Sequence, residues 1–327
     1  MIPIRDTAPS RNYPLVTFVL IGLNVAVYLL EMAQGPDLER FLHLYGLVPA
    51  RYTIDRIAAY YTLPQQLFAF LSFMFLHGGF WHLLGNMWFL YIFGDNVEDH
   101  LGHIRYLAFY LLCGLASGFS HILLNLHSTV ATIGASGAIA GVMGAYFLLH
   151  PKAKILTLIP IIFIPWFIEI PAFFFLGFWF VLQFINAAGS QAGSGGVAWW
   201  AHVGGFVAGM LFLKAFDLLP ATGMSDRLRR ATGKKRTTRL QVLKPVTSET
   251  DLNLYGNLRI TPYESFTGTR KLVSVSRGFG KRMVKVTVPA GVNQGTQLRL
   301  RGLGKTDAAG RVGDLFLRVN IVMRPEG

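Results

Sequence analysis

The chain has 327 residues, of which 52% are hydrophobic and only 14% are charged. A soluble domain carries about 25% charged residues, so this composition excludes an ordinary water-soluble protein and indicates that lipid surrounds much of the chain. The single cysteine, Cys113, excludes an intramolecular disulfide and a zinc site built from cysteines.

The excess of positive over negative charge lies entirely in the C-terminal third of the chain. Residues 1–220 hold 9 Lys and Arg against 10 Asp and Glu, whereas residues 221–327 hold 21 against 7. This division predicts an apolar membrane domain over residues 1–220, a basic linker over 221–250 and a water-soluble domain over 251–327.

Six apolar runs approach the roughly 20 residues that a membrane span needs. They cover residues 15–32, 67–94, 104–125, 134–150, 171–188 and 199–217. A further apolar segment, residues 155–170, is interrupted by prolines and contains Glu169, which is costly at mid-membrane. We interpret it as an interfacial or re-entrant piece, so the sequence predicts an all-α membrane bundle of six helices.

Lysines and arginines near the span ends predict the orientation. With six spans, Arg5, Arg105 and Lys152 fall on the same side as the basic linker, and that side should be the cytoplasm. The loop 33–66, on the other side, also contains arginines. Acidic residues in the same loop offset their charge. We expect a multi-pass protein of the bacterial inner membrane with both termini in the cytoplasm.

The segment after the last span contains no aromatic residues among its basic ones, which argues against nucleic-acid binding. It is typical of a positive-inside anchor, and contact with anionic lipid headgroups is an additional role. From residue 251 short β-type runs alternate with glycine-containing turns and predict a small β-rich domain. The predicted strands are 252–260, 271–275, 281–288, 296–300 and 315–322.

Ser136 is the candidate nucleophile. It lies in Gly134-Ala135-Ser136-Gly137, at the start of the fourth predicted span, where small neighbours let a helix or a substrate approach the hydroxyl. Small-residue runs in membrane helices are more often packing seams, so this motif alone does not establish catalysis.

A nucleophilic serine needs a base, and His202 is the candidate among nine histidines. It begins the sixth predicted span on the same side as Ser136. Gly205 and Gly209 share its helix face, and small residues at 140 and 144 share the face of Ser136, so the two backbones can come close. The alternative is a histidine that caps a span at the headgroups.

His82 and Asn86 are four residues apart on the second predicted span and therefore share a helix face. Both side chains can donate hydrogen bonds to an oxyanion, although hydrogen bonding between helices is the alternative. His77 lies about 140° around the same helix from His82, so we expect it to be structural and not half of a metal pair.

Other hydrolytic designs do not fit. The chain contains no His-Glu-x-x-His and no Gly-x-Gly-Asp, which excludes the zinc and aspartyl types of intramembrane protease. A serine–lysine pair does not fit either, because Lys152 lies roughly 24 Å along the helix from Ser136. No metal or cofactor is predicted.

These motifs together resemble the rhomboid proteases over about residues 12–218. The three matching blocks are His77-Gly-Gly-Phe-Trp-His82 followed by Asn86, Gly134-Ala-Ser136-Gly137-Ala138, and Ala201-His202-x-x-Gly205-x-x-x-Gly209. The resemblance implies a Ser136–His202 dyad without an aspartate and an oxyanion hole from the Ser136 N–H, His82 and Asn86. It also implies a gate at the fifth span and a mobile cap over 189–198.

One position departs from the family pattern. Well-known rhomboid proteases carry, four residues after the serine, an aromatic residue that stacks on the catalytic histidine, whereas this chain has Ala140. We expect another aromatic residue, such as Trp199 or Trp200, to hold the base, or the base to be held less firmly.

Residues 252–325 resemble the C-terminal, client-binding domain of DnaJ-type co-chaperones. The resemblance rests on Val284-Lys-Val-Thr-Val-Pro289-Ala-Gly291, Leu298-Arg-Leu-Arg-Gly302-x-Gly304 and Gly313-Asp314-Leu315. It implies that unfolded cytoplasmic substrate tails bind there, and an appendage or dimerisation module is the alternative.

The predicted function is that of an intramembrane serine endopeptidase that cleaves transmembrane or membrane-anchored proteins in the lipid bilayer. The alternative is a catalytically inactive rhomboid-like protein that binds or delivers membrane clients.

Overall fold

The computed structural model describes residues 1–8, 10–161, 164–189, 197–219, 228, 232, 240–243, 251–277, 280–307 and 310–322. The chain divides into two compact units, Met1–Gly233 and Lys234–Gly327. Most of the predicted linker, 221–250, lies outside the described residues, so the predicted domain boundaries at 220 and 250 stay predictions.

Helices dominate the first unit. Their bounds are Leu15–Met32 (α1), Leu38–Tyr45 (α2), Ala50–Thr53 (α3), Asp55–Ala58 (α4), Leu63–Ser72 (α5), Phe80–Leu101 (α6), His103–Leu124 (α7), Ser136–Leu149 (α8), Ala172–Gly189 (α9) and Trp199–Asp217 (α10). Four of them, α1, α7, α9 and α10, are long and apolar enough to cross a membrane. The bounds of α1 and α10 coincide with two predicted spans.

The two remaining predicted spans, 67–94 and 134–150, are not single helices long enough to cross a membrane. The run 67–94 is divided between α5 and α6, which are bent by 77° at the break, and as one broken span they raise the number of candidate spans in the described part of the chain to five. The run 134–150 contains α8, whose 14 residues extend only about 21 Å, less than the hydrocarbon core of about 30 Å. The count of six spans is therefore not confirmed.

A small sheet corrects the all-α prediction for the first unit. Strands Ile2–Asp6 (β1), Lys154–Ile161 (β2) and Ile164–Pro171 (β3) pair in the order β1-β2-β3, and both pairings are antiparallel. The described residues of the predicted segment, 155–161 and 164–170, thus belong to two paired antiparallel strands. The Lys154 ammonium donates a hydrogen bond to Glu169 Oε2 at 2.7 Å between these strands, which gives the isolated acidic residue a partner.

Glycines bring α8 and α10 into backbone contact, as the sequence predicts. A β-carbon added to Gly205 would lie 2.1 Å from the carbonyl oxygen of Gly137, and one added to Gly209 would lie 2.0 Å from that of Gly141. No side chain fits at either position. The close approach places the start of α8 beside the start of α10.

The carboxylate of Glu98 joins α6 to the first turn of α1. It accepts hydrogen bonds from the backbone N–H groups of Val16 and Thr17, both at 2.8 Å, and from the Thr17 hydroxyl at 2.7 Å. The His103 ring nitrogen Nδ1 lies 2.5 Å from the same carboxylate. These contacts satisfy backbone donors that a helix start leaves unpaired.

The second unit is rich in β-strands. The strands are Leu240–Leu243 (β4), Leu254–Ile260 (β5), Thr269–Arg277 (β6), Gly280–Val288 (β7), Gln297–Leu300 (β8) and Leu315–Ile321 (β9), in sheets of order β4-β6-β7 and β5-β9-β8. The five predicted strands after residue 251 are confirmed as β5 to β9, within a few residues at each end. A short helix that was not predicted, Pro262–Thr267 (α11), begins with a capping box between Thr261 and Glu264.

Candidate active site

Ser136 is the first residue of α8, directly after a sharp turn of the backbone. Gly134 has a φ of +129°, which residues with a β-carbon rarely adopt, and its N–H donates to the carbonyl oxygen of Phe73 at 2.8 Å. This turn holds the serine at the helix start, where its side chain is half-buried.

His202 lies in the first turn of α10, and its side chain reaches the serine. Its Nε2 is 2.8 Å from Ser136 Oγ, a normal hydrogen-bond distance. The glycine contacts between α8 and α10 make this distance possible because they bring the two helix starts together. His202 is buried, with 9% of its surface exposed.

The other ring nitrogen of His202, Nδ1, contacts Gln183, a residue that was not predicted as part of the site. His202 Nδ1 lies 2.7 Å from Oε1 of Gln183, which belongs to α9 and is buried. With Nδ1–H donating to this amide oxygen, Nε2 keeps its lone pair for the serine hydroxyl. A signal was available, since an amide in the apolar run 171–188 is costly unless it has a partner.

Two tryptophans flank the His202 ring. Trp179 is tilted by 33° with its ring centroid 5.9 Å away, and Trp199 makes an edge contact at 6.2 Å. Trp199 was one of the two predicted replacements for the missing aromatic residue at Ala140. The other, Trp200, contacts Phe184 instead.

His82 and Asn86 lie in the first two turns of α6 and face the same cavity as Ser136. A β-carbon added to Gly134 would be 2.9 Å from His82 Nε2 and 3.5 Å from Ser136 Oγ, so the imidazole is close to the serine turn. The Gly78 N–H lies 3.4 Å from His82 Nδ1, which favours the tautomer that carries its proton on Nε2. The Asn86 amide nitrogen is buried and has no hydrogen-bond partner among the described residues.

The side chains of these four predicted site residues line a single cavity of about 720 Å³. Trp179, Trp199 and His121 also line it. The predicted cap, 189–198, falls mainly on residues outside those that the structure describes.

His77 is not on the helix that carries His82, which corrects the basis of the sequence argument about this pair. Because α6 begins at Phe80, the two residues are not related by helical geometry, and their rings pack edge to face at 5.1 Å. The His77 backbone N–H donates to the carboxylate of Glu31 at 2.9 Å, which joins this loop to α1. Within the described residues, no three His, Cys, Asp or Glu side chains are grouped to hold a metal ion.

Both parts of the chain are similar to known protein families. Residues 64–216 match the family model of the Rhomboid domain, and residues 254–326 match that of the DnaJ C terminal domain. The chain is 31% identical over 201 residues to "Rhomboid protein 1, mitochondrial" of Saccharomyces cerevisiae, an alignment that covers 60% of this chain and 52% of the yeast protein.

Two bacterial relatives match different parts. "Putative rhomboid protease YdcA" of Bacillus subtilis is 28% identical over 141 residues, 42% of this chain and 62% of that protein. "DnAJ-like protein slr0093" of Synechocystis is 35% identical over 68 residues, 21% of this chain and 19% of that protein. The chain thus spans about half the length of the yeast relative and a fifth of the Synechocystis one.

The cavity around Ser136 and His202 lies within the first matched segment, and strands β5 to β9 lie within the second. The apolar helices of the first unit are those of a multi-pass membrane protein. The chain therefore resembles the Rhomboid domain family over residues 64–216 and the DnaJ C terminal domain family over residues 254–326.

Proposed function

We propose that the protein is an intramembrane serine endopeptidase that cleaves transmembrane or membrane-anchored proteins. The observation that carries this proposal is the distance of 2.8 Å between Ser136 Oγ and His202 Nε2, inside a cavity of the rhomboid domain. A serine becomes a competent nucleophile when an adjacent base takes its proton.

In the proposed reaction Ser136 and His202 act as a dyad. As Ser136 Oγ attacks the scissile carbonyl carbon, His202 Nε2 takes the hydroxyl proton, and the imidazolium then gives this proton to the leaving amine. A water molecule, deprotonated by the same imidazole, hydrolyses the acyl-enzyme and regenerates the serine. The imidazole is neutral at the start and at the end of the cycle.

The oxyanion of the tetrahedral intermediate would receive hydrogen bonds from the Ser136 N–H, His82 and Asn86. Support comes from the first turn of α8, where the Ser136 N–H is one of the donors that a helix start leaves unpaired. The buried amide nitrogen of Asn86 has no partner in the described structure, and such a group is available to a developing negative charge.

We also infer that the protein resides in the inner membrane of a bacterium with both ends in the cytoplasm. If α5–α6 counts as one span and α8 as a short one, six spans place the basic segments on one side. Two of the relatives are bacterial. The DnaJ C-terminal domain would then hold unfolded substrate tails in the cytoplasm.

The decisive experiment is cleavage of a model transmembrane substrate by the purified protein in liposomes. Ser136→Ala is expected to abolish cleavage and labelling by a fluorophosphonate probe. Ser120→Ala is the matched control, because Ser120 lies on α7 and donates to the Trp200 carbonyl at 3.3 Å, outside the dyad. It should keep both properties.

Cleavage retained by the Ser136→Ala protein would refute the dyad. A wild-type protein that neither cleaves nor reacts with the probe would instead favour a catalytically inactive rhomboid-like protein that binds membrane clients.

A further inference from the structure

The helix α9 presents two side chains to His202, one turn apart. Trp179 and Gln183 are four residues apart and therefore lie on the same helix face. Trp179 packs against the imidazole ring, and Gln183 Oε1 lies 2.7 Å from its Nδ1. The neighbouring polar residue of this helix, Asn186, is exposed and donates to the Leu182 carbonyl instead.

We propose that Gln183 is a positioning residue for the base: its amide oxygen accepts the Nδ1 proton and holds His202 with a free Nε2 lone pair directed at Ser136. This inference rests on the proposed protease function and extends it to a third polar side chain. Gln183 does not touch the reacting atoms, so it acts only through the imidazole.

The burial of Gln183 supports this role. Only 7% of its surface is exposed, and it lies in a helix made almost wholly of apolar residues. A buried amide without a partner loses about 1–3 kcal/mol, so the position is stable only if the side chain is hydrogen-bonded. The imidazole provides the partner, and no carboxylate among the described residues contacts His202.

A neutral acceptor suits this position better than a carboxylate. Placing an ionised carboxylate in apolar surroundings has a desolvation cost of several kcal/mol, whereas an amide orients the ring without adding charge. The titratable side chains close enough to His202 to act on it electrostatically are His82 of α6 and His121 of α7. The tautomer is thus selected by a hydrogen bond and not by a negative charge.

Without the amide oxygen, the proton of the neutral imidazole is free to move to Nε2, and the ring is free to rotate away from Ser136. Both changes lower the fraction of molecules with a basic nitrogen facing the hydroxyl. Substrate binding does not depend on this proton, so kcat should fall while KM stays the same.

The test compares Gln183→Met and Gln183→Glu with the wild-type protein in the same liposome assay. Gln183→Met keeps the length of the side chain and removes the acceptor, and we expect kcat to fall about 10- to 100-fold with KM unchanged, by analogy with other groups that orient a histidine. Asn186→Met is the matched control on the same helix, and we expect its kcat to equal that of the wild type.

Gln183→Glu restores an acceptor and should recover kcat to within about threefold of wild type at its best pH. A carboxylate stabilises the protonated imidazole, which is inactive as a base. On the acid side of the profile, the pH at which kcat/KM is half its maximum should therefore be higher in this variant. A purely structural role for Gln183 would not produce this displacement of the pH profile.

A wild-type kcat in Gln183→Met would overturn the inference, and so would an unchanged pH profile in Gln183→Glu. If Gln183→Met does not fold, as judged by thermal unfolding in detergent, the pH profile of Gln183→Glu still decides. Ser136→Ala is included throughout: its residual cleavage would refute the proposed protease mechanism itself, whereas an inactive Ser136→Ala with a fully active Gln183→Met refutes only the role of Gln183.

Discussion

Asn86 faces the cavity one turn after His82, with an amide nitrogen that is buried and has no partner among the described residues. A donor of this kind stabilises charge that develops only in the transition state. We therefore expect Asn86→Ala to lower kcat roughly 10- to 1000-fold, and less if His82 and the Ser136 N–H compensate. Steady-state kinetics with a transmembrane substrate measures this.

Asn96→Ala is the matched control for Asn86→Ala on the same helix. Asn96 is buried near the other end of α6, where its amide nitrogen donates to the Asp6 carboxylate at 3.0 Å. Its replacement should lower stability and leave kcat unchanged. An Asn86→Ala protein with unchanged kcat and raised KM would show that Asn86 is a packing residue.

At the scale of elements, the attachment of α1 to α6 depends on Glu98. This carboxylate is 1% exposed and receives two backbone N–H groups from the start of α1. Hydrogen bonds to a charged group contribute about 1.5–3 kcal/mol. In the Glu98→Gln protein the neutral amide oxygen can still accept a hydrogen bond from α1, but this bond is weaker. We expect Glu98→Gln to lower the free energy of unfolding by about 1–3 kcal/mol, measured in detergent.

The control for Glu98→Gln is Glu39→Gln, because Glu39 is exposed in the first turn of α2. A surface substitution of this type should change the free energy of unfolding by less than about 0.5 kcal/mol. Equal stability of the two variants would show that Glu98 does not hold the start of α1.

At the scale of the whole molecule, the chain consists of two units with separate hydrophobic cores. All four predicted site residues belong to the first unit. Thr232 also belongs to it, because its carbonyl accepts from the Tyr13 N–H at 2.9 Å and its hydroxyl lies 2.7 Å from His103 Nε2. A shortened chain that keeps these contacts should therefore end after residue 233.

We expect the chain shortened after residue 233 to cleave a substrate without a cytoplasmic tail at about the full-length rate. It should cleave a substrate with an unfolded tail more slowly, because a domain that holds the tail raises the local substrate concentration. Initial rates for both substrates, with both forms of the enzyme, measure this difference.

If shortening changed the cleavage rate of neither substrate, this result would argue against tail binding. It would favour a role of the second unit in assembly or stability. Loss of both activities in a folded protein would contradict the separation of chemistry from recognition.

Several features follow from the sequence alone. The apolar runs of α1 and α10 predict those helices to the residue, since hydropathy reports directly which segments lipid surrounds. The glycines of α8 and α10 predict their close packing, because only residues without a side chain permit it. The β-type runs of β5 and β9 likewise predict strands, and the structure buries alternate residues along them.

Other features depend on the tertiary structure. Hydropathy does not report the length of a helix that other helices cover, so the run 134–150 predicts a longer helix than the 14 residues of α8. It also does not detect a bend, so the break before α6 and its effect on His77 were missed. Hydropathy also does not show that β2 and β3 pair with each other, or that β1, from the start of the chain, adds a third strand to them.

The sequence by itself determined the two family resemblances, the nucleophile candidate Ser136 and the base candidate His202, because each rests on a local motif. Only the tertiary structure decided which groups hold the base. Gln183 and Trp179 belong to no motif shared with His202, and they reach it because α9 packs beside α10. A hydrogen bond between distant helices depends on their relative rotation and depth, and the packing of the whole bundle sets both.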